Sequence, residues 1–223
     1  FVNATQLTAQ LTAADVAAAG TPAITVFNPA PGGGTSSAVN LTVNNPVPTL
    51  TSIAPATKTA GDLAFVLTVN GTNYNSSSIV RLGGTDRPTT LVNSTQLTAQ
   101  LTAADVQAAG TFPITVFNPA PAGGTSVSAN LTVNNLAPTL TSIVPTTKTA
   151  GDAAFTLTVN GTNFNSSSVV RLNGSDRTTT LVNATQLTAQ ITAADLALAG
   201  TPAITVFNPA PGGGTSAPST LTV

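Results

Sequence analysis

The feature that most constrains the fold is a segment that occurs three times at a spacing of 90 residues. It reads Ile-Thr-Val-Phe-Asn-Pro-Ala-Pro, followed by glycines and Thr-Ser, and it begins at Ile24, Ile114 and Ile204. Self-similarity at a fixed period is typical of a tandem repeat array. A repeat of this length is also long enough to bury a hydrophobic core of its own.

The repeated segment predicts a β-hairpin. In the middle copy, Ile114 and Val116 alternate with Thr115 and Phe117, which is the period of a strand with one buried face. Prolines and glycines then end the strand and turn the chain, and residues 130–133 have the pattern of a short returning strand. Similar strand and turn patterns fill the rest of the repeat. The sequence therefore predicts an all-β domain.

The repeat boundaries predict three segments. Residues 1–46 correspond to the second half of a repeat, residues 47–136 form one complete repeat and residues 137–223 form another. A half-repeat lacks partner strands and is not expected to hold a core alone. Either a longer chain upstream or strand exchange with another subunit would complete it. The complete C-terminal repeat leaves no half to donate, which favours the longer chain.

Charged residues are scarce. They make up 6% of the chain, against roughly 25% in ordinary globular proteins, and the net charge is −1. A surface of hydroxyls and amides offers little electrostatic repulsion to close packing of copies. The absence of a basic run argues against nucleic-acid binding. No apolar run reaches 18 residues, so no membrane span is predicted.

The few charges predict structural ion pairs. A two-residue turn at Gly83-Gly84 places Arg81 opposite Asp86 on paired strands, and the next repeat places Arg171 opposite Asp176. Exposed pairs of this kind contribute on the order of a few tenths of a kcal/mol. A ligand site at the same position is the alternative interpretation.

A capping box predicts a short helical turn in each repeat. Thr102 and Asp105, and in the next repeat Thr192 and Asp195, occupy the N-cap and third helical positions before alanine residues. A calcium role would need several oxygen ligands around each aspartate. The chain has no Cys or His to form another kind of metal site. We predict neither a metal nor a cofactor.

Phe27, Phe117 and Phe207 are the candidate contact residues between copies. Alternation with the valine before it directs Phe117 outward, beside Pro119 and Pro121. An outward apolar patch that recurs in every repeat is typical of a contact surface. The alternative is that the proline-rich loop of the same repeat covers the ring.

The chain also contains many N-glycosylation sequences, Asn-x-Ser/Thr. They begin at Asn3, Asn40, Asn70, Asn75, Asn93, Asn130, Asn160, Asn165, Asn173 and Asn183. In a chain rich in Asn and Thr, many such sequences arise by chance. Glycan attachment is therefore a hypothesis, and mass spectrometry of the native protein that found no hexose would remove it.

Three motifs together resemble the IPT/TIG family of immunoglobulin-like domains. They are Pro-Thr-Leu-Thr-Ser-Ile-x-Pro at Pro48 and Pro138, Asn-Gly-Thr-Asn-(Tyr/Phe) at Asn70 and Asn160, and the Asn-Pro-Ala-Pro-Gly hairpin. The resemblance covers the whole chain and is closest to tandem copies in large secreted or surface proteins of bacteria. It implies a β-sandwich of about seven strands per repeat and a role in adhesion, spacing or surface structure. Some relatives bind DNA, but the basic residues for that role have no counterparts here.

These observations lead to a functional expectation. We expect an extracellular structural protein whose tandem immunoglobulin-like repeats build a stalk, filament or surface fibre by self-association with copies of itself. The alternatives are an adhesin stalk that spaces a binding tip, and spacer repeats of a large secreted enzyme. We expect no catalysis, because the chain has no His to act as a base and its two lysines occupy equivalent turn positions in successive repeats.

Overall fold

The computed structural model describes residues 1–223, and nearly all of its regular structure is β-strand. Residues 1–46 contain four strands of two residues each. These strands are β1 (Ala23–Ile24), β2 (Phe27–Asn28), β3 (Gly34–Thr35) and β4 (Val39–Asn40). β1 pairs antiparallel with β4, and β2 pairs antiparallel with β3. Almost every residue before Asn45 is exposed.

The first complete repeat contains ten strands and one 3-10 helix. They are β5 (Thr49–Ala54), β6 (Thr57–Thr59), β7 (Phe65–Thr72), β8 (Ile79–Leu82), β9 (Thr85–Arg87), β10 (Thr89–Asn93), β11 (Gln96–Leu101), the 3-10 helix Ala103–Val106, β12 (Gly110–Asn118), β13 (Gly124–Thr125) and β14 (Ala129–Asn134). One sheet has the strand order β10-β11-β7-β5. The other has the order β6-β14-β12-β8-β9, with β13 beside β12. The β6–β14 pair is parallel.

The second complete repeat follows the same plan with nine strands. They are β15 (Thr139–Val144), β16 (Phe155–Thr162), β17 (Val169–Leu172), β18 (Ser175–Asp176), β19 (Thr179–Asn183), β20 (Gln186–Ile191), the 3-10 helix Ala193–Leu196, β21 (Ala203–Asn208), β22 (Gly214–Thr215) and β23 (Ser219–Thr220). One sheet has the order β15-β16-β20-β19, and the other has the order β18-β17-β21-β22 with β23 beside β21. The predicted all-β immunoglobulin-like fold is confirmed. Three of the nine strands have two residues, so the number of longer strands is close to the predicted seven.

The predicted helical turn is a 3-10 helix in both complete repeats. Each has four residues, Ala103–Val106 and Ala193–Leu196. A segment this short cannot offset the cost of nucleating an α-helix, and the tighter i to i+3 hydrogen bond closes it within one turn. The predicted short helical turn is therefore confirmed, and it is of the 3-10 type.

The chain divides by its internal contacts into two compact units. The first comprises Phe1–Pro55, Phe65–Leu101 and Pro113–Asn130, and the second comprises Ala56–Ala64, Thr102–Phe112 and Leu131–Val223. The second complete repeat therefore lies wholly in the second unit. The repeat boundaries drawn from the sequence stay a prediction.

The core of the second complete repeat is formed by inward side chains of both of its sheets. Leu157 and Val159 come from β16, Val170 comes from β17, and Ile204 and Val206 come from β21. None of the five exposes any surface, and polar residues, threonine or asparagine, occupy the positions on β16 that alternate with the buried ones. Burial of an aliphatic side chain contributes about 1.5–3 kcal/mol, so alternation along these strands sets the layer structure.

The two-residue hairpins fix the positions of the charged side chains. Gly83 and Gly84 have φ of 56° and 85°, and Asn173 and Gly174 have φ of 49° and 83°. Positive φ at both central residues suits a hairpin turn that matches the twist of the strands. The turn at Gly83-Gly84 closes the β8–β9 pair.

Candidate self-association surface

The predicted ion pairs lie on the outer face of the β8 sheet and of its copy. Arg81 is the strand partner of Asp86, and Arg171 is the strand partner of Asp176. In both pairs the arginine Nε lies 2.6 Å from an aspartate Oδ1. The aspartate side chains are 55% and 63% exposed, so solvent screens the pairs and their contribution to stability is small.

Phe117 and Phe207 lie on the same outer face as these arginines. The neighbouring Val116 is fully buried, whereas the Phe117 ring is half-buried. The guanidinium carbon of Arg81 lies 3.9 Å from the centroid of the Phe117 ring, and Arg171 lies 3.8 Å from that of Phe207. Each ring therefore points outward, and an arginine that is itself held by an aspartate covers it through a cation–π contact.

Phe27 has a different environment. Its side chain is 67% exposed, and residues 1–46 contain no arginine that could stack on it. Pro119 and Pro121 are half-buried, and their carbonyl oxygens accept hydrogen bonds from Asn45 Nδ2 and from the Asn45 backbone N–H. The two prolines thus contact Asn45, which lies two residues before the first complete repeat begins at Val47.

One exposed apolar surface was missed by the sequence reasoning. Leu91 and Val92 are 38% and 52% exposed on β10, which lies at the edge of its sheet. Leu181 and Val182 are 39% and 52% exposed on the matching edge strand β19. If the strands alternated strictly, one residue of each Leu-Val pair would face the core. The pairing register with the neighbouring strand shifts at Val92 and Val182, so both residues of each pair are exposed. The signal in the sequence was the identical, uncharged Thr-Thr-Leu-Val-Asn in both complete repeats.

A second contact that the sequence reasoning missed joins Arg177 to the capping aspartate Asp195. Arg177 Nη2 lies 2.6 Å from Asp195 Oδ1, and Arg177 Nε lies 3.0 Å from Asp195 Oδ2. Both side chains are mostly buried, at 16% and 12% exposed. Burial acts to raise the pKa of Asp195, but hydrogen bonds from Arg177 and Thr192 outweigh it and hold the pKa below its ordinary value.

The predicted capping residues form the expected hydrogen bonds at both 3-10 helices. The backbone N–H of Thr102 donates to Asp105 Oδ2 at 2.8 Å. The backbone N–H of Thr192 donates to Asp195 Oδ2 at 2.9 Å. A carboxylate at the third position thus satisfies an N–H that the short helix leaves free.

The glycosylation sequences divide into two structural groups. Asn70, Asn75, Asn160 and Asn165 are half-buried, and their side-chain amides donate hydrogen bonds within the protein. The other six asparagines are exposed. Glycan attachment therefore stays a prediction, and the exposed group offers the accessible amides.

The structure contains neither a cluster of metal-binding side chains nor a helix that could cross a membrane. No group of three or more Asp, Glu, His or Cys side chains is placed to hold a metal ion. None of the helices is long and apolar enough to span a bilayer.

Comparison with known proteins identifies the repeats and their fold. The family model for the IPT/TIG domain matches residues 48–133 and residues 138–223. No curated protein matches the chain. Similar solved structures include the Bacteroides ovatus mixed-linkage glucan utilization locus SGBP-B with a mixed-linkage heptasaccharide, at 18% identity and a TM-score of 0.30 over 92% of this chain and 54% of that one.

Two further similar structures are ectodomains. The ICAM-5 D1–D4 fragment has 17% identity and a TM-score of 0.35 over 86% of this chain and 51% of that one. The Plexin A4 extracellular region has 19% identity and a TM-score of 0.30 over 74% of this chain and 17% of that one. The chain thus spans about half or less of the length of these structures. At such identities and TM-scores, nothing about the role of this chain follows from these structures.

Proposed function

The chain belongs to the IPT/TIG domain family, and we propose that it is an extracellular structural protein whose tandem repeats build a stalk, filament or surface fibre by self-association. Its partner is another copy of the same chain. The family occurs as tandem immunoglobulin-like modules, which suits spacing and structural roles. The bacterial, secreted origin that the motifs suggested is part of this proposal.

The observation that carries the proposal is the repeated apolar edge of the sandwich. Leu91 and Val92 on β10, and Leu181 and Val182 on β19, are exposed on strands that have no partner on one side. Free backbone groups beside apolar, uncharged side chains are a template for pairing with another chain. Because this edge recurs in each complete repeat, contacts with a second copy multiply along the array.

The composition of the surface supports the same proposal. Only 6 basic and 7 acidic residues occur in 223 residues, so little charge repulsion opposes lateral packing. Four of these charges form the Arg81–Asp86 and Arg171–Asp176 pairs, which are internally neutral. The arginine-covered Phe117 and Phe207 rings provide a second, more polar contact face.

The proposal includes the absence of catalysis. IPT/TIG domains are typically non-catalytic. The chain contains no His or Cys, and the buried charged pair Arg177–Asp195 is fully engaged in its own hydrogen bonds. We infer that the chain functions through contacts made by its surface and not through catalysis.

The testing experiment measures assembly of the full chain by electron microscopy and sedimentation. The wild type is expected to form fibres above a threshold concentration. The double variant Val92→Lys/Val182→Lys should raise that threshold roughly tenfold, because two like charges would face each other at every edge contact. The control Leu63→Lys/Leu198→Lys changes two residues that are each 82% exposed and lie outside the strands, and it should assemble as the wild type does.

The outcomes separate the proposal from its alternatives. A wild-type chain that stays monomeric at all accessible concentrations would contradict self-association and favour a spacer in an adhesin or a large secreted enzyme. The double variant Phe117→Ser/Phe207→Ser could instead lose assembly while Val92→Lys/Val182→Lys assembles normally. That result would show that the phenylalanine face, and not the strand edge, mediates self-association. Circular dichroism of each variant checks that the β-sandwich is retained.

A further inference from the structure

The joints that lead into the two complete repeats are residues 45–48 and residues 135–138, and they share one hydrogen-bond pattern. At the second joint, the backbone N–H of Asn135 donates to Pro211 O at 2.8 Å, and Asn135 O accepts from the Gly213 N–H at 2.8 Å. The side chain of Asn135 donates through Nδ2 to Pro209 O at 2.7 Å and accepts through Oδ1 from Asn165 Nδ2 at 3.1 Å. Asn135 is 9% exposed, so all four of its polar groups are buried and paired.

The first joint repeats this pattern. The backbone N–H of Asn45 donates to Pro121 O at 2.8 Å, and Asn45 O accepts from the Gly123 N–H at 2.9 Å. Its side chain donates to Pro119 O at 2.6 Å and accepts from Asn75 Nδ2 at 3.0 Å. Asn45 is 6% exposed. The same four hydrogen bonds occur at both joints, so the arrangement is a regular feature of the repeat.

The two residues after each joint asparagine are also held through their carbonyl groups. Asn208 Nδ2 donates to Leu136 O at 2.9 Å, and Asn163 Nδ2 donates to Ala137 O at 2.8 Å. At the first joint, Asn118 and Asn73 donate in the same way to Pro46 O and Val47 O, at 2.9 Å and 2.8 Å. Three successive carbonyls at each joint therefore have a partner in the following repeat.

The donor asparagines are themselves held in place. Asn208 has no exposed surface, donates a second hydrogen bond to Asn163 O at 2.7 Å and accepts one from Ser168 Oγ at 2.6 Å. Asn165 Oδ1 accepts from the N–H and the hydroxyl of Ser167, at 2.8 Å and 2.6 Å, which directs its Nδ2 towards the joint. The site is thus oriented by residues of the repeat that follows the joint.

The two joint sequences indicate what this site recognises. They read Asn45-Pro46-Val47-Pro48 and Asn135-Leu136-Ala137-Pro138. The asparagine and the last proline are buried at both joints. The two middle residues differ between the joints, and their side chains are exposed, so only their backbone carbonyls are used. The common ligand is therefore an extended Asn-x-x-Pro segment.

We propose that the Asn-Pro-Ala-Pro hairpin of each complete repeat, with its supporting asparagines, is a socket that recognises an Asn-x-x-Pro segment spanning the boundary with the preceding repeat. The socket couples consecutive repeats through the chain itself, because the carbonyls of the asparagine and of the two residues after it are all hydrogen-bonded. This coupling is separate from the self-association proposed above, since it acts within one chain.

The test is hydrogen exchange by NMR on the full-length chain. Asn135→Asp keeps the shape of the side chain but replaces the donor facing Pro209 O with a charged acceptor. The Gly213 amide, which donates to Asn135 O, should then exchange about tenfold faster, because the bonds that hold the segment act together. The Ser216 amide, which donates to Val206 O inside the same repeat, and the Gly123 amide at the first joint should be unchanged.

The matched control is Asn134→Asp. It places the same charge one residue earlier on a partly exposed side chain, and it should leave Gly213 as in the wild type. Asn45→Asp should act reciprocally, on Gly123 and not on Gly213. An unchanged Gly213 rate in Asn135→Asp, or an equal effect from Asn134→Asp, would overturn the socket.

The uncharged variant Asn135→Ala covers the case in which Asn135→Asp unfolds the second complete repeat. Selective acceleration at Gly213 in this variant supports the socket. Equal acceleration at Gly213 and Ser216 in both variants would mean that the joint is not a separable coupling, and the proposal would fail.

Discussion

Residues 2–10 and residues 182–190 have the same sequence but different surroundings. Leu187 is fully buried in the core of the second complete repeat, whereas Leu7 is 52% exposed. The same contrast holds between Val206, which is fully buried, and Val26, which is 44% exposed. Residues 1–46 contain no counterpart of the β16 and β17 strands that cover the second copy. The contrast shows that the apolar pattern marks a face for burial, and that partner strands decide whether it is buried.

The largest effect is expected from the same substitution in the two copies. Leu187→Ala should lower the free energy of unfolding of the second complete repeat by about 2–5 kcal/mol, because it leaves a cavity in a closed core. Leu7→Ala should change it by less than about 0.5 kcal/mol, because the side chain is half-exposed and packs in no core. Urea denaturation of the full-length chain measures both. A comparable loss in Leu7→Ala would show that residues 1–46 hold a core.

The next effect concerns the capping aspartate in the two copies. Asp195→Asn removes the charge that Arg177 holds through two hydrogen bonds and should cost about 2 kcal/mol. Asp15 accepts a hydrogen bond from the backbone N–H of Thr12, but residues 1–46 contain no arginine that could pair with its carboxylate. Asp15→Asn should therefore lower the melting temperature less than Asp195→Asn does, because solvent screens the exposed Asp15 carboxylate. Thermal unfolding at neutral pH compares the two, and equal losses would contradict a role for the Arg177 pair.

The same aspartate gives a pH dependence of known sign. The pKa of Asp195 is lowered in the folded state, so the unfolded state binds a proton first as the pH falls. The stability that Asp195 contributes is therefore present above its unfolded pKa of about 4 and is lost as the pH falls through the folded pKa. The slope of stability against pH in this acid range should be shallower in Asp195→Asn than in the wild type.

The smallest effect compares the two complete repeats at one core position. Tyr74 is 4% exposed, and its hydroxyl has no hydrogen-bond partner, while Phe164 occupies the matching place. Tyr74→Phe should stabilise the first complete repeat by about 1 kcal/mol, since a buried, unpaired hydroxyl is removed. Thermal unfolding measures this change, and the reverse substitution Phe164→Tyr should have the opposite sign. A loss of stability in Tyr74→Phe would show that the hydroxyl is satisfied in solution.

Tyr74 also supplies a spectroscopic check. Burial raises its pKa to about 12, whereas the unfolded residue titrates near pH 10. Stability is therefore retained below pH 10 and falls as the pH rises towards 12, because only the unfolded state releases the proton in that window. It is the one tyrosine of the chain, so ultraviolet absorbance of tyrosinate reports it directly. Titration at the ordinary pKa would contradict its burial.

Much of the fold could be predicted from local sequence signals. Alternation placed Ile114 and Val116 inside, and the Gly83-Gly84 turn set Arg81 opposite Asp86. These features depend on a period of two and on turn chemistry, which act over a few residues. The motifs also led to the IPT/TIG family, which the family comparison confirmed over both complete repeats.

The exposed edge and the Arg177–Asp195 pair could not be predicted in this way. The register shift at Val92 depends on how β10 lies against β11, which no alternation pattern encodes. Arg177 and Asp195 are separated by the two strands β19 and β20, so their contact depends on how the hairpin that these strands form is packed. The joint socket likewise joins Asn135 to a hairpin that begins more than 70 residues later.

The hairpin at residues 26–36 separates what the sequence determined from what the tertiary structure decided. The Val26 N–H donates to Ser36 Oγ at 2.9 Å, and the matching bond from Val206 to Ser216 Oγ has the same length. The first hairpin is exposed and the second is buried. The sequence by itself determined the turn and its hydrogen bonds, because these connect residues ten positions apart. Only the tertiary structure decided burial, because water is removed from an apolar face by strands from elsewhere in the chain.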